Sequence, residues 1–125
     1  MVLIAPPASA GEVKGRCDAN HGAQWADFSV TYRTEGSYDR LNNYWWDIHG
    51  TDRHENNVDM QVKQLLTTGE TVIKDSASVD DAGPGSGHQI AVGALPRSGT
   101  FYGAFQFAFD LEGADPKCKG KTHTF

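Results

Sequence analysis

Hydrophobic and polar residues alternate with a period of two through much of this chain, the pattern of strands whose successive side chains face opposite ways. From Gln24 to Arg33, the residues Ala26, Phe28, Val30 and Tyr32 share one face, with Asp27, Ser29, Thr31 and Arg33 on the other. Leu41 to Gly50 repeats this, setting Tyr44, Trp46 and Ile48 against Asn43, Trp45, Asp47 and His49. Asn56 to Leu66 sets Val58, Met60 and Val62 against Asp59, Gln61 and Lys63. The clearest run is Thr100 to Asp110. Phe101, Gly103, Phe105, Phe107 and Phe109 line one face there, and Tyr102, Ala104, Gln106, Ala108 and Asp110 the other. Glu70 to Val79 and His88 to Leu95 predict two weaker strands. Lys117, Lys119 and Lys121 alternate as a charged edge strand that resists unwanted pairing. Polar or glycine-bearing turns separate these runs, and Asp80 to Gly87 reads as a flexible loop by composition.

About six or seven strands at such spacing, with no helical periodicity, predict an all-β fold: a single-domain antiparallel β-sandwich. The 125 residues suit one domain. Thirteen aromatics (3 Trp, 4 Tyr and 6 Phe) supply the core that 14 glycines would otherwise thin. Two cysteines allow one pairing, Cys17–Cys118, too widely spaced for the bridge of an antibody domain. The bond is expected to tie the segment before the first strand to the segment after the last.

Met1 to Ala10 reads as the tail of a secretory signal peptide: Val2 to Ala5 as the end of an apolar stretch and Ala8-Ser9-Ala10 as a small-residue cleavage site. The basic start of such a peptide is missing. The folded domain is expected over residues 11–125, secreted and extracellular, which agrees with a disulfide. A formal net charge of −5 disfavours nucleic acid and anionic membrane as partners.

Candidate chemistry is thin. Asp47 and His49 share a strand face, with Asp52, His54, Glu55 and Asp59 following, but no recognised ligand spacing is present and neither metal nor cofactor is expected. No nucleophile elbow occurs, and Gly83 to Gly87 lacks the lysine of a phosphate cradle. A non-catalytic protein is expected. The aromatics say more: with Trp46 in the core, Trp45 must face outward beside Asp47 and His49. Trp25 is out of phase with its strand's apolar set, and Tyr102 opposes the Phe row. Such residues suit a sugar-stacking platform or a protein hot spot, against the plainer reading that they pack under a loop or that both sheet faces are covered. Arg97, in Leu95 to Gly99, sits in a loop that a trypsin-like protease could accept, or in an ordinary turn.

The run Phe105 to Asp110, then Gly113 to Pro116 and Cys118 to Thr122, resembles small two-cysteine β proteins secreted by actinobacteria. In size, export signal and terminal disulfide the chain also resembles the adaptor subunit of the umbrella toxin particles of Streptomyces. That resemblance implies a compact β domain without an active site, joining a lectin subunit to a scaffold subunit in a toxin complex. On that plan, Gly11 to Arg16 would extend and insert into a partner as an added strand. The expectation is a secreted binding or adaptor protein with larger extracellular protein partners. A carbohydrate-binding module on the exposed Trp and Tyr is the alternative, and a protease inhibitor presenting Arg97 a further one.

Overall fold

A computed structural model describes residues 10–125 of the chain. The strands are β1 (Ala10–Ala19), β2 (Gln24–Glu35), β3 (Tyr38–His49), β4 (Asn56–Leu65), β5 (Thr71–Ala82), β6 (Gly85–Ile90), β7 (Ala94–Pro96), β8 (Thr100–Ala108) and β9 (Lys117–Thr124). Among the described residues, the one helical piece is a short 3-10 turn at Asn20–Gly22. One sheet runs β1-β2-β3-β6, with β7 also on β3, and the other runs β5-β4-β8-β9; every pairing is antiparallel. This is the β-sandwich that the alternation predicts.

The inward faces are the predicted ones. Phe28 and Val30 from β2, Tyr44, Trp46 and Ile48 from β3, Val58, Met60 and Val62 from β4, and the Phe101–Phe109 row are all buried. Phe28 stacks on Phe105 across the two sheets at 4.6 Å between ring centres. Gly103 belongs to this row because a side chain there would strike Val30, Thr122 and Phe28.

The two flanks of the sandwich close differently. At one, β1 lies beside β9 and the disulfide joins Cys17 to Cys118, both buried, with 5.6 Å between their Cα atoms. Gly15 lets the strands meet: a Cβ there would stand 2.8 Å from the Lys121 carbonyl oxygen and 2.9 Å from the Phe105 ring. At the other flank β5 and β6 are the outermost strands. The core-facing positions of β6 are Gly85, Gly87 and Gln89, opposite Ile48, Trp46 and Tyr44. The Trp46 ring fills the space over Gly87, where a Cβ would be only 2.5 Å from the indole. The Tyr44 hydroxyl donates to Asp75 on β5 at 2.7 Å, and the Val92 backbone N–H donates to the same carboxylate at 3.4 Å.

Several boundaries differ from the sequence reading. Asp80 to Gly87 is not a loop: β5 continues to Ala82 and β6 begins at Gly85. Backbone pairing with β3 holds that glycine-rich stretch, so its composition gives little sign of it. The strand read over His88 to Leu95 breaks at Ala91–Gly93, where Gly93 has a φ of 151°. Asp110 leaves the polar face and is buried beyond the end of β8. Its backbone N–H donates to Asn56 Oδ1 at 2.7 Å, and its carboxylate pairs with Arg53 at 3.2 Å. Both cysteines lie inside strands rather than in flanking segments. Gly11 to Arg16 is part of β1 and is paired along its length with β2, so in this chain it is a sheet strand and not an extended arm. The signal-peptide reading falls on residues outside those described, apart from Ala10, which opens β1.

Candidate functional site

The outward face of the β1-β2-β3-β6 sheet gathers most of the polar and aromatic residues singled out above. Strand register arranges them in rows. Asp18, Trp25 and His49 form one row; Arg16, Asp27, Asp47 and Ser86 the next; Lys14, Ser29, Trp45 and His88 the third. Glu12, Thr31, Asn43 and Ile90 lie along the next.

A shallow hollow of about 510 Å³ opens on this face, bordered by Glu12, Lys14, Arg16, Asp27, Trp45 and Asp47, with Ser29 and Ser86 as small residues among them. Asp27 and Asp47 are directly opposite each other on β2 and β3, a like-charge arrangement that disfavours the pairing unless compensated. One cation compensates directly. Arg16 grips Asp27 through Nε at 2.6 Å and a second nitrogen at 3.2 Å, and this bond and charge hold the guanidinium pKa above its ordinary value. His49 Nε2 lies 3.0 Å from Asp47, bent away from hydrogen-bond geometry. Lys14 pairs with Glu12 at 3.2 Å.

The two outward tryptophans have different surroundings. Trp25 is half-buried, stacked on the His49 ring at 3.8 Å and capped by the Arg16 guanidinium at 4.3 Å, a partner from each neighbouring strand. It therefore serves as packing for the ion pairs. Trp45 is 41% exposed. Its indole N–H donates to Thr31 Oγ1 at 3.2 Å and its ring leans on His88 at 4.9 Å, which fix the ring while leaving apolar surface on the hollow.

The remaining candidates lie elsewhere. Tyr102 is on the outer face of the opposite sheet, with the Lys121 ammonium 5.7 Å from its ring centre. Arg97 is exposed in the turn after β7; its backbone N–H donates to Ser37 at 2.9 Å and its side chain reaches back to the Gly36 carbonyl at 3.5 Å. Asp59 faces outward on the opposite sheet beside Ser78. His54 lies against Gly83, and Asp52 and Glu55 are exposed in the β3–β4 connection. Among the described residues, no three of His, Cys, Asp or Glu converge on a common point suited to a metal.

Arg16, Asp27, Ser29 and Ser86 were not singled out from the sequence. The signal for Arg16 was present in Glu12-Val-Lys-Gly-Arg-Cys-Asp-Ala19, which alternates charged residues with small or apolar ones. Comparison with known proteins found no protein family, curated protein or solved structure that matches this chain.

Proposed function

We propose that this chain is a secreted, non-catalytic binding protein of the adaptor type, acting through contacts with a larger extracellular protein. The observation that carries this reading is the apolar rim of the flank formed by β5 and β6. Ile73, Ile90 and Val92 are 55%, 66% and 68% exposed there, and Val72 is 41% exposed. Single exposed apolar residues are ordinary, but several along one flank, on β5, at the end of β6 and just after it, mark a surface that a partner covers. Register shifts beside Val62 and Asn56 interrupt the β4–β5 ladder, and such irregularities guard an edge against strand addition. The contact is therefore one of side chains rather than an added strand. The disulfide supports an oxidising compartment, and the adaptor plan implied by the actinobacterial resemblance fits a small domain whose flank engages a larger subunit.

The test is native purification of the secreted protein, with cross-linking through Lys74 on β5. A larger protein at fixed stoichiometry, joined at Lys74 and released by the double substitution Ile73→Glu with Val92→Glu, is the expected result. Recovery of free monomer alone overturns the reading.

A further inference from the structure

We propose that the hollow on the outer face of the β1-β2-β3-β6 sheet is a binding site for an uncharged saccharide, with one sugar ring lying against Trp45. Of the rim residues, Ile90 shares this sheet face but does not border the hollow, and the two readings stand or fall separately.

Three observations point to this ligand class. First, Trp45 is held in place and open. Its N–H is engaged by Thr31, so what remains on offer is the apolar ring, the surface on which the C–H face of a pyranose packs. Second, the cations around the hollow are already taken up in pairs: Lys14 with Glu12, and Arg16 with Asp27. An anionic ligand would have to displace one of these partners. A neutral polyol need not, since its hydroxyls can donate to the carboxylates and accept from Arg16 and Lys14 while the pairs stay together. Third, Ser29 and Ser86 leave room, and a volume of about 510 Å³ lies within the range of small-ligand sites and accommodates one or two sugar rings.

The facing carboxylates strengthen the case. Asp27 opposite Asp47 is unfavourable for the sheet, yet it sets two strong acceptors side by side on a rigid floor. Arg16, braced by Trp25, holds Asp27 in place before a ligand arrives, and the His49 ring stacked on Trp25 stands beside Asp47. Preorganisation of that kind lowers the ordering cost of binding. Trp25 is a positioning residue in this scheme, and Tyr102 has no part in it.

The experiment titrates the folded full chain with uncharged tetrasaccharides of β-1,4-glucose, β-1,3-glucose, β-1,4-N-acetylglucosamine and α-1,6-mannose, read by tryptophan fluorescence and calorimetry. An array of neutral, acidic and amino glycans widens the search. Saturable binding to an uncharged glycan is expected, little changed by salt, because no net charge is neutralised. Trp45→Ala should weaken it about tenfold or more. Ser86→Gln, which fills the hollow from an exposed edge position, should weaken it too with the unfolding midpoint unchanged. Tyr102→Ala should leave it intact. Failure of every uncharged glycan to bind at millimolar concentration overturns the proposal. So does binding confined to charged glycans or cationic peptides, or binding that survives both Trp45→Ala and Ser86→Gln.

Discussion

The two flanks of this sandwich solve the same problem in opposite ways. Where β1 meets β9, a covalent bond and a glycine at position 15 bring the sheets together over Phe105, and apolar side chains are enclosed. At the flank where β5 and β6 are outermost, glycines on the core-facing side of β6 leave Trp46 to fill the gap, and one buried-phenol hydrogen bond crosses between sheets. Apolar residues stay exposed on that rim. In the proposed reading, the first flank serves stability and the second serves contact. If so, stability and partner binding should separate by flank.

The disulfide gives the sharpest test. Cys17 and Cys118 are 101 residues apart, so their bond removes a large part of the unfolded chain's freedom, up to about 4.7 kcal/mol in the chain-entropy view. Cys17→Ala with Cys118→Ala should lower the unfolding free energy by several kcal/mol in a denaturant titration. A change under about 1 kcal/mol would mean that the flank is held by packing alone.

Tyr44 comes next. Burial, then the Asp75 hydrogen bond and charge, drive the Tyr44 phenol pKa far above its ordinary value of 10.0. The folded state thus holds this proton more tightly than the unfolded chain does. That stabilisation is complete below pH 10.0 and drains away as pH climbs toward the raised folded value. Tyr44→Phe should cost about 1.5–3 kcal/mol, the range for hydrogen bonds to charged groups. It should also flatten the loss of stability above pH 10.0, measured by unfolding at a series of alkaline pH values. An unaltered alkaline slope would show that the inter-sheet tie contributes little. On the closed flank, Gly15→Ala must push β1 off β9, since the new methyl meets a backbone carbonyl. About 1–3 kcal/mol of overpacking cost is expected, seen as a lower midpoint in thermal unfolding.

Much of this architecture was legible in the sequence, and what was not has definite physical causes. The Phe101–Phe109 row, the split of Trp45 from Trp46 and the cysteine pairing follow from period-two alternation and from arithmetic. The first half of β6 was hidden because its ladder bonds to β3 need no particular side chains, and glycine is required at position 87 by the indole above it. β1 was read as a flanking arm because Gly15 and Ala19 dilute its apolar phase. The candidate site was half visible. Alternation places Trp45, Asp47 and His49 on one face, but the partners of Trp25 and Asp27 depend on register between strands. Arg16 is 11 residues from Asp27 in the chain, and nothing local marks the two as a pair.

The smallest stability effect belongs to the open rim, and it bears most directly on the contrast between flanks. Ile73 and Val92 are mostly solvent-exposed, so little area is returned to water when they are made polar. Threonine keeps the β-branched shape that suits a strand, so Ile73→Thr with Val92→Thr should move the unfolding free energy by no more than about 0.5 kcal/mol. The same pair should abolish co-purification of the proposed protein partner, because apolar anchors lost from the centre of a contact cannot be replaced by its rim. Retained partner with unchanged stability would make the rim an incidental feature and move the contact elsewhere. A large drop in stability would mean that these side chains belong to the core, and the division of labour between the two flanks would be lost.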